Sequence, residues 1–346
     1  LFFSLEERYM KKRIYIAFLC AVTLLLTACG TKPPSDTDLE LAAGNYASRV
    51  FDTSEDSGKL TARYLYLTKD TPAKNDVITT GDSTVYTSPD GKVMLVDCAN
   101  PASGEDVVAQ LQRMGVEKID ILVVSHPHAD HIGGFETVVN TFPVEQIYMA
   151  DHTYNSDTYR RMIEVIREKS IPVTYLETGS TFSFGDEVSV TCYNPRPENL
   201  QNITAGFMDD NNCSVALRIV YGQSSFWTSG DLYTNQETYL VDTYGDALAS
   251  DVVKMNHHGW DTSNCGAFVK TMHPLVAVAM HDSITSRTTA LRYYAAGTQT
   301  FYNCVDGAVK VSTPGDGTYD VQSQFIRELD YFGAPSEDGH YQLPAA

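Results

Sequence analysis

Positive charge is scarce in this sequence. Its 346 residues include 25 lysines and arginines against 44 aspartates and glutamates, a net charge of −19 with histidine neutral. So acidic a surface argues against a wide electrostatic groove for DNA. It leaves phosphodiester substrates open, because bound cations can reverse the sign locally. The seven cysteines contain no CxxC pair, which argues against a dense disulfide framework. Also missing are a P-loop, a glycine-rich dinucleotide turn, a serine-nucleophile motif and any internal repeat. The apolar run Ile14–Leu26 is too short for a comfortable membrane span. What the chain does have is 43% hydrophobic residues, enough for a real core, and length for one α/β domain.

The N-terminus is read separately. "MKKRIYIAFLCAVTLLLTACG" has a basic start, an apolar stretch and small residues before Cys29, the pattern of a secretory signal beginning at Met10. "LTAC" resembles the bacterial lipobox, so residues 1–28 are expected to be an upstream extension plus signal. Cys29 is expected to carry lipid and anchor an extracytoplasmic lipoprotein to the membrane. A Cys29→Ser chain that stayed as membrane-bound as the parent would exclude this. Residues 29–59 are polar and read as a disordered tether. Residues 60–325 form the expected domain and 326–346 a tail. Five cysteines remain in the domain, Cys98, Cys192, Cys213, Cys265 and Cys304, and are expected to be buried thiols.

Within the domain, "GDSTVYTSPDGKVMLVDCA" reads as two strands around a Pro-Asp-Gly turn. "GEDVVAQLQRMG" and "SDTYRRMIEVIREKS" read as amphipathic helices, the second capped by Ser156 or Asp157. "IDILVV" is a buried strand. "CSVALRIVYG" and "SSFWTSG" form a hairpin, and "DVVKMN" and "PLVAVAM" are strands separated by helix. Each half starts β-rich and then alternates strand with helix. That order predicts two sheets with outer helices, an αββα sandwich, rather than one doubly wound sheet.

The chemistry is concentrated in "SHPHADHIGG", Ser125–Gly134. In an extended segment, His126, His128 and Asp130 point the same way, and His131 follows. Imidazole nitrogen with carboxylate oxygen suits zinc, and also iron or manganese. Three histidines in six positions, in a chain of 9, make an incidental polar loop a poor reading. Two later segments add "FWTSGDL", with Asp231, and "KMNHHGW", with His257 and His258.

These three segments, in this order, resemble the signatures of the metallo-β-lactamase superfamily, an αββα fold with a dinuclear metal site. The resemblance spans roughly residues 76–321. "NNCSVALRIVYG" and "VVKMNHHGW" look most like the soluble domain of competence-type DNA-uptake (ComEC-like) proteins, and like the phosphorylcholine esterase branch. It implies that His126 and His128 hold one metal, and that Asp130, His131 and His258 hold the second. Asp231 would bridge them, one carboxylate oxygen to each. Asp130 and His257 are the catalytic candidates, His257 as general acid, although His257 and His258 could exchange roles. Many members have a further histidine ligand before the aspartate. Here His152 lies too early and reads as a loop residue, and Asn211-Asn212 occupies the expected position. Trp260 is expected to wall the pocket and Trp227 to pack in the core. Tyr154, Tyr233 and Tyr302 could contact substrate, and His273 and His281 read as structural, His281 with access to the cleft. The implied activity is hydrolysis of an ester with two divalent ions. A phosphodiester from wall polymer, phosphocholine or nucleic acid is favoured over a β-lactam or lactone. The contrasting reading is a non-catalytic binding lipoprotein that keeps the fold.

Overall fold

Runs of β-branched residues make most of the strands, and glycine, proline and asparagine end them. The structure, a computed structural model, describes residues 41, 44–67, 71–72, 78–79, 81–204, 206, 209–327, 340–341 and 343. The expected signal segment and Cys29 lie outside the described residues. No helix among the described residues is long and apolar enough to cross a membrane. The strands are β1 (Leu60–Tyr64), β2 (Thr71–Pro72), β3 (Ile78–Thr79), β4 (Thr84–Thr87), β5 (Val93–Val96), β6 (Ile119–Val124), β7 (Val144–Met149), β8 (Val173–Tyr175) and β9 (Thr181–Phe184). They continue with β10 (Val188–Asn194), β11 (Ala216–Tyr221), β12 (Ser224–Thr228), β13 (Val252–Lys254), β14 (Val276–Ala279), β15 (Gln299–Tyr302), β16 (Val309–Thr313) and β17 (Asp320–Ser323).

Two sheets result, in the orders β17-β16-β1-β4-β5-β6-β7-β8 and β15-β14-β13-β12-β11-β10-β9. Each is antiparallel at one side and parallel at the other, along β5 to β8 and along β12 to β15. The parallel pairs need crossovers, which helices supply. These include α1 (Gly104–Arg113), α2 (Ala129–Ile132), α3 (Phe135–Thr141) and α4 (Asp157–Lys169) in the first half. The second half has α5 (Thr234–Tyr244), α6 (Gly266–Met272) and α7 (Arg287–Ala295). Ser156 caps α4, its side chain accepting from the Tyr159 amide.

Leu60, Tyr86, Met94 and Val123 of the first sheet share one buried cluster with Val190, Leu217, Phe226 and Val278 of the second. Val107, Leu111, Phe135 and Val165 cover the outer face of the first sheet. Leu240, Phe268 and Met272 cover that of the second. The layering is therefore helix, sheet, sheet, helix, as the strand order predicts. It brings the carboxyl ends of β5, β6, β12, β13 and β14 to one edge, where open parallel sheets place their sites.

The expected tether is shorter than its composition suggests. Val50 and Phe51, within a turn of helix and its cap at Ala47–Val50, are buried in the core. Asp56 receives both terminal nitrogens of the buried Arg63, at 2.7 and 3.0 Å. The domain therefore starts before residue 60. Composition misses this because a few anchors suffice when one of them neutralises a buried guanidinium. The expected tail is corrected likewise: Arg327 is buried and pairs with Asp306 at 2.9 Å, and the Tyr341 ring meets Phe301 edge-on at 4.7 Å.

Asp120 ties β6 to β5. Its carboxylate accepts the Val93 amide at 2.9 Å and faces Lys92 and Lys118 at 3.2 and 3.0 Å. Burial pushes its pKa up, but these donors outweigh it and hold the carboxyl below its usual value. A depressed folded pKa contributes stability above the unfolded value and loses it as pH falls through the folded one. Asp120→Asn is thus expected to cost roughly 1 kcal/mol at neutral pH, the difference vanishing as pH drops below about 4. Urea midpoints at pH 7 and pH 3 check this, and a cost that persists at low pH counts against it.

Candidate metal centre

The "IDILVV" strand ends at Val124, and the backbone of Ser125 is captured at once. Asp97, just past β5, accepts the Ser125 amide at 2.8 Å and its hydroxyl at 2.6 Å. The same carboxylate faces His131 Nδ1 at 2.8 Å. His128 is extended and caps α2, so Asp130 and His131 lie on a helical turn. The two-residue alternation expected from sequence therefore covers only His126 and His128. The chain switches to helix at Ala129, which turns His131 back toward His126, with ring centroids 4.1 Å apart.

The second half supplies the rest from two strand ends. Asp231 follows β12 with its amide held by Ser214 Oγ at 3.1 Å. After β13, His257, His258 and Gly259 are all left-handed, with φ of 48°, 52° and 85°. Non-glycine residues seldom adopt this conformation, and it concentrates where a site is held by its surroundings. Buried Glu237 does much of the holding. It accepts the Asn264 and Cys265 amides at 2.6 and 2.8 Å and Asn256 Nδ2 at 2.7 Å. His257 N in turn donates to Gly230 O at 3.1 Å, joining the two strand ends.

Asp231 Oδ2 is the hub. It lies 3.2 Å from His131 Nε2, 3.3 Å from His258 Nε2, 3.7 Å from His126 Nε2 and 3.8 Å from His257 Nε2. Asp130 Oδ2 lies 3.2 Å from His258 Nε2 and 3.9 Å from His131 Nε2. His128 Nδ1 lies 3.2 Å from His126 Nε2. A tetrahedron of ligands about 2.0–2.1 Å from a cation has edges of roughly 3.3–3.4 Å. The His131–Asp231, His258–Asp231 and Asp130–His258 separations of 3.2–3.3 Å match that spacing and Asp130–His131 is wider at 3.9 Å; on the other side His126 lies 3.2 Å from His128 and 3.7 Å from Asp231. His131 Nε2 and Asp231 Oδ1 are buried without a hydrogen-bond partner, which a cavity meant for protein atoms alone would not leave. The donor set fits metal ions.

Electrostatics agree. Burial would pull His131 and His258 down, but the carboxylates around them, Asp231 foremost with Asp130 and Asp97 at His131 and Asp82 and Asp130 at His258, together hold both well above the usual imidazole value. Burial would raise Asp231, and the same two rings hold it well below the carboxylate range. Asp130, opposed by burial but facing His131 and His258, lies at about 2. His126 is pushed well down by burial.

All six expected ligands and His257 thus converge. His257 is the more open of the histidine pair, its side chain 20% exposed against 4% for His258, and its Nδ1 meets Thr262 Oγ1. His152 bonds Asp210 at 2.6 Å, as a loop residue does. Trp227 is fully buried and Trp260 is 38% exposed beside His281. His281 also packs against His258. Tyr154 flanks His128 and Tyr233 flanks His257. Tyr302 is a correction: although β15 is an edge strand, Tyr302 is buried under α7 with Tyr293 and Ala290. Asn211 and Asn212 are buried in a short 3-10 turn that leads to Val215, whose amide donates to Ser125 O at 2.8 Å.

Sequence reasoning missed Asp82, Asp97, Lys254 and Glu237. Asp82 Oδ1 meets His258 Nδ1 at 2.9 Å. Asp82 could be counted among metal ligands, since it, His131, Asp231 and His258 offer atoms within 4.8 Å. It touches the outer nitrogen of His258, however, so it orients that ring, the usual task of a carboxylate behind a ligating histidine. Asp97 does the same for His131. A lysine within the apolar strand "DVVKMN" was the available signal for Lys254.

A two-sheet sandwich carrying on one edge a histidine–aspartate cluster that could hold metal has the layout of the metallo-β-lactamase fold. Residues 78–249 match the family described as the Metallo-beta-lactamase superfamily. The Competence protein ComA of Neisseria gonorrhoeae is 32% identical over 206 residues, covering 57% of this chain and 26% of that protein. The ComE operon protein 3 of Bacillus subtilis is 22% identical over 176 residues, covering 51% and 22%. The chain therefore spans about a quarter of the length of these curated relatives. Among solved structures, Igni18, a metallo hydrolase of Ignicoccus hospitalis, is 14% identical with a TM-score of 0.45, over 73% of this chain and 98% of that one.

Proposed function

We propose that this protein is a hydrolase using two divalent ions, zinc first among the candidates, against a phosphodiester. The observation that carries this is the convergence of four imidazole Nε2 atoms on Asp231 Oδ2. His126, His128 and Asp231 would hold one ion; Asp130, His131, His258 and Asp231 would hold the other. Bound there, such a pair lowers the pKa of water and clamps phosphoryl oxygens. The chain's own residues do the remainder. Asp97 and Asp82 fix the rings of His131 and His258. Asp130, ionised and the most open carboxylate of the centre at 24% exposure, can accept a proton or hydrogen bond from an entering water. His257 sits at the mouth with Thr262 behind it, placed to give a proton to a leaving oxygen. Tyr154, Tyr233 and Trp260 wall the opening.

The net charge of −19 favours a small or wall-linked ester over long DNA. A second reading, short nucleic-acid substrates, is favoured by relatives named for competence. Metal analysis and turnover of bis(p-nitrophenyl) phosphate test the proposal, with a chromogenic β-lactam and a short single-stranded oligonucleotide in parallel. Less than one metal equivalent, or β-lactam turnover without diester turnover, would overturn it. Oligonucleotide cleavage faster than that of the small diester would select the second reading.

A further inference from the structure

Beside His131 and His257, His258 has a third histidine neighbour, His281, with ring centroids 5.7 Å apart. His281 comes just after β14. The residue before it, Met280, meets the outer nitrogen of His258 through its carbonyl at 3.0 Å, so the backbone carrying His281 is fixed to the centre. The His281 ring also meets Trp260 edge-on, 6.3 Å between centroids. Its own loop crowds one of its nitrogens. The Ser283 amide donates to Nδ1 at 3.1 Å, and Ser283 Oγ and Asp282 Oδ1 stand 3.1 and 2.6 Å from it. An Nδ1 that accepts from a backbone N–H leaves the proton of the neutral ring on Nε2, and the charged ring carries one there as well. Nε2 has no hydrogen-bond partner among the described residues and keeps contact with solvent, although the side chain is only 7% exposed. The ring is thus held by one nitrogen and keeps the other for what enters beside His258.

We propose that His281 is a further substrate-contacting residue, its Nε2 donating to a non-bridging phosphoryl oxygen of the bound diester. This rests on the hydrolase reading above and deepens it. A phosphodiester spreads its negative charge over two non-bridging oxygens, and carboxylates line this side of the centre: Asp82, Asp130 and Asp282 all act on His281. A directed N–H among them offsets their repulsion of an anionic substrate and fixes how the phosphoryl group is turned. His257 keeps its place as proton donor to the leaving oxygen. The expectation that His281 is structural, with access to the cleft, is thereby divided between its two nitrogens: Nδ1 serves the loop and Nε2 serves the substrate.

Two substitutions separate the nitrogens. His281→Asn keeps an acceptor near the place of Nδ1 for the Ser283 amide and removes Nε2. His281→Gln sets an amide N–H near the place of Nε2 and gives up the Nδ1 contact. In the full chain loaded with Zn²⁺, His281→Asn is expected to lower kcat/KM for bis(p-nitrophenyl) phosphate about 10–100-fold, the scale of one hydrogen bond to a charged group. Calorimetric binding of phenylphosphonate should weaken with it, zinc content should hold, and His281→Gln should recover most of the loss. A His281→Asn protein with the parent's turnover and phosphonate affinity would show that the ring serves only its loop, and the proposal fails. Loss of zinc from the folded variant would make His281 a support for His258 instead, and overturns it too. Should His281→Asn not fold, the structure of the unsubstituted zinc form with phenylphosphonate decides: Nε2 out of hydrogen-bond reach of every phosphonate oxygen defeats the proposal. An unsubstituted chain that binds less than one metal equivalent, or turns over no diester, defeats the hydrolase reading itself before any substitution is made.

Discussion

Asp231→Asn is expected to strip the centre of at least one metal ion and to lower phosphodiester turnover by roughly 10²–10³-fold or more, the scale of removing one electrostatic contact from a transition state. The substitution keeps the shape and removes the charge. Four imidazoles and Lys254 are gathered around that one carboxylate, so no other group takes its place. Asp130 reaches only His131 and His258. The ions of the His126–His128 side would lose their only anionic ligand. Metal content after dialysis and the rate with bis(p-nitrophenyl) phosphate are the two readouts. Unchanged metal content in a folded Asp231→Asn protein would remove Asp231 from the ligand set and take the shared centre with it. His131 and His258 would also lose the foremost of the carboxylate charges that raise them, so their pKa values are expected to fall.

Gly81→Ala is expected to damage the same centre from a position that carries no chemistry. Gly81 has φ of +76°, and a Cβ there would stand 2.0 Å from Asp130 O and 2.8 Å from the Asn100 amide nitrogen. The left-handed backbone alone costs about 1–2 kcal/mol for an L-residue. Overpacking against backbone atoms, which cannot swing aside as a side chain can, adds about 1–3 kcal/mol. The variant should lose roughly 3 kcal/mol in urea denaturation. Because the displaced atom belongs to Asp130, residual folded protein should also bind metal more weakly. A fully stable Gly81→Ala protein would mean that the turn before β4 is not packed on α2 as described.

The metal-bearing segments were legible because they are dense. His126–His131 puts four donors within six residues, and "SGD" and "HHG" each carry theirs at the end of a strand that apolar patterning marks. Several strands were not legible. Val144–Met149 alternates buried and half-exposed residues, a weaker signal than the six buried residues of Ile119–Val124. Tyr302 looked available as one tyrosine of 21, and only packing against α7 shows that it is not.

What the sequence by itself determined is local: periodicity, turn chemistry and the presence of a donor set too rich to be incidental. Those depend on neighbours a few residues away, and the covalent chain fixes them. What only the tertiary structure decided is partnership over distance. Asp82 meets His258 across 176 residues, Asp56 neutralises Arg63, and Lys254 pairs with Asp82. Such choices follow from which buried charges must find each other once water is excluded, and that is settled where the strand ends of two sheets come together.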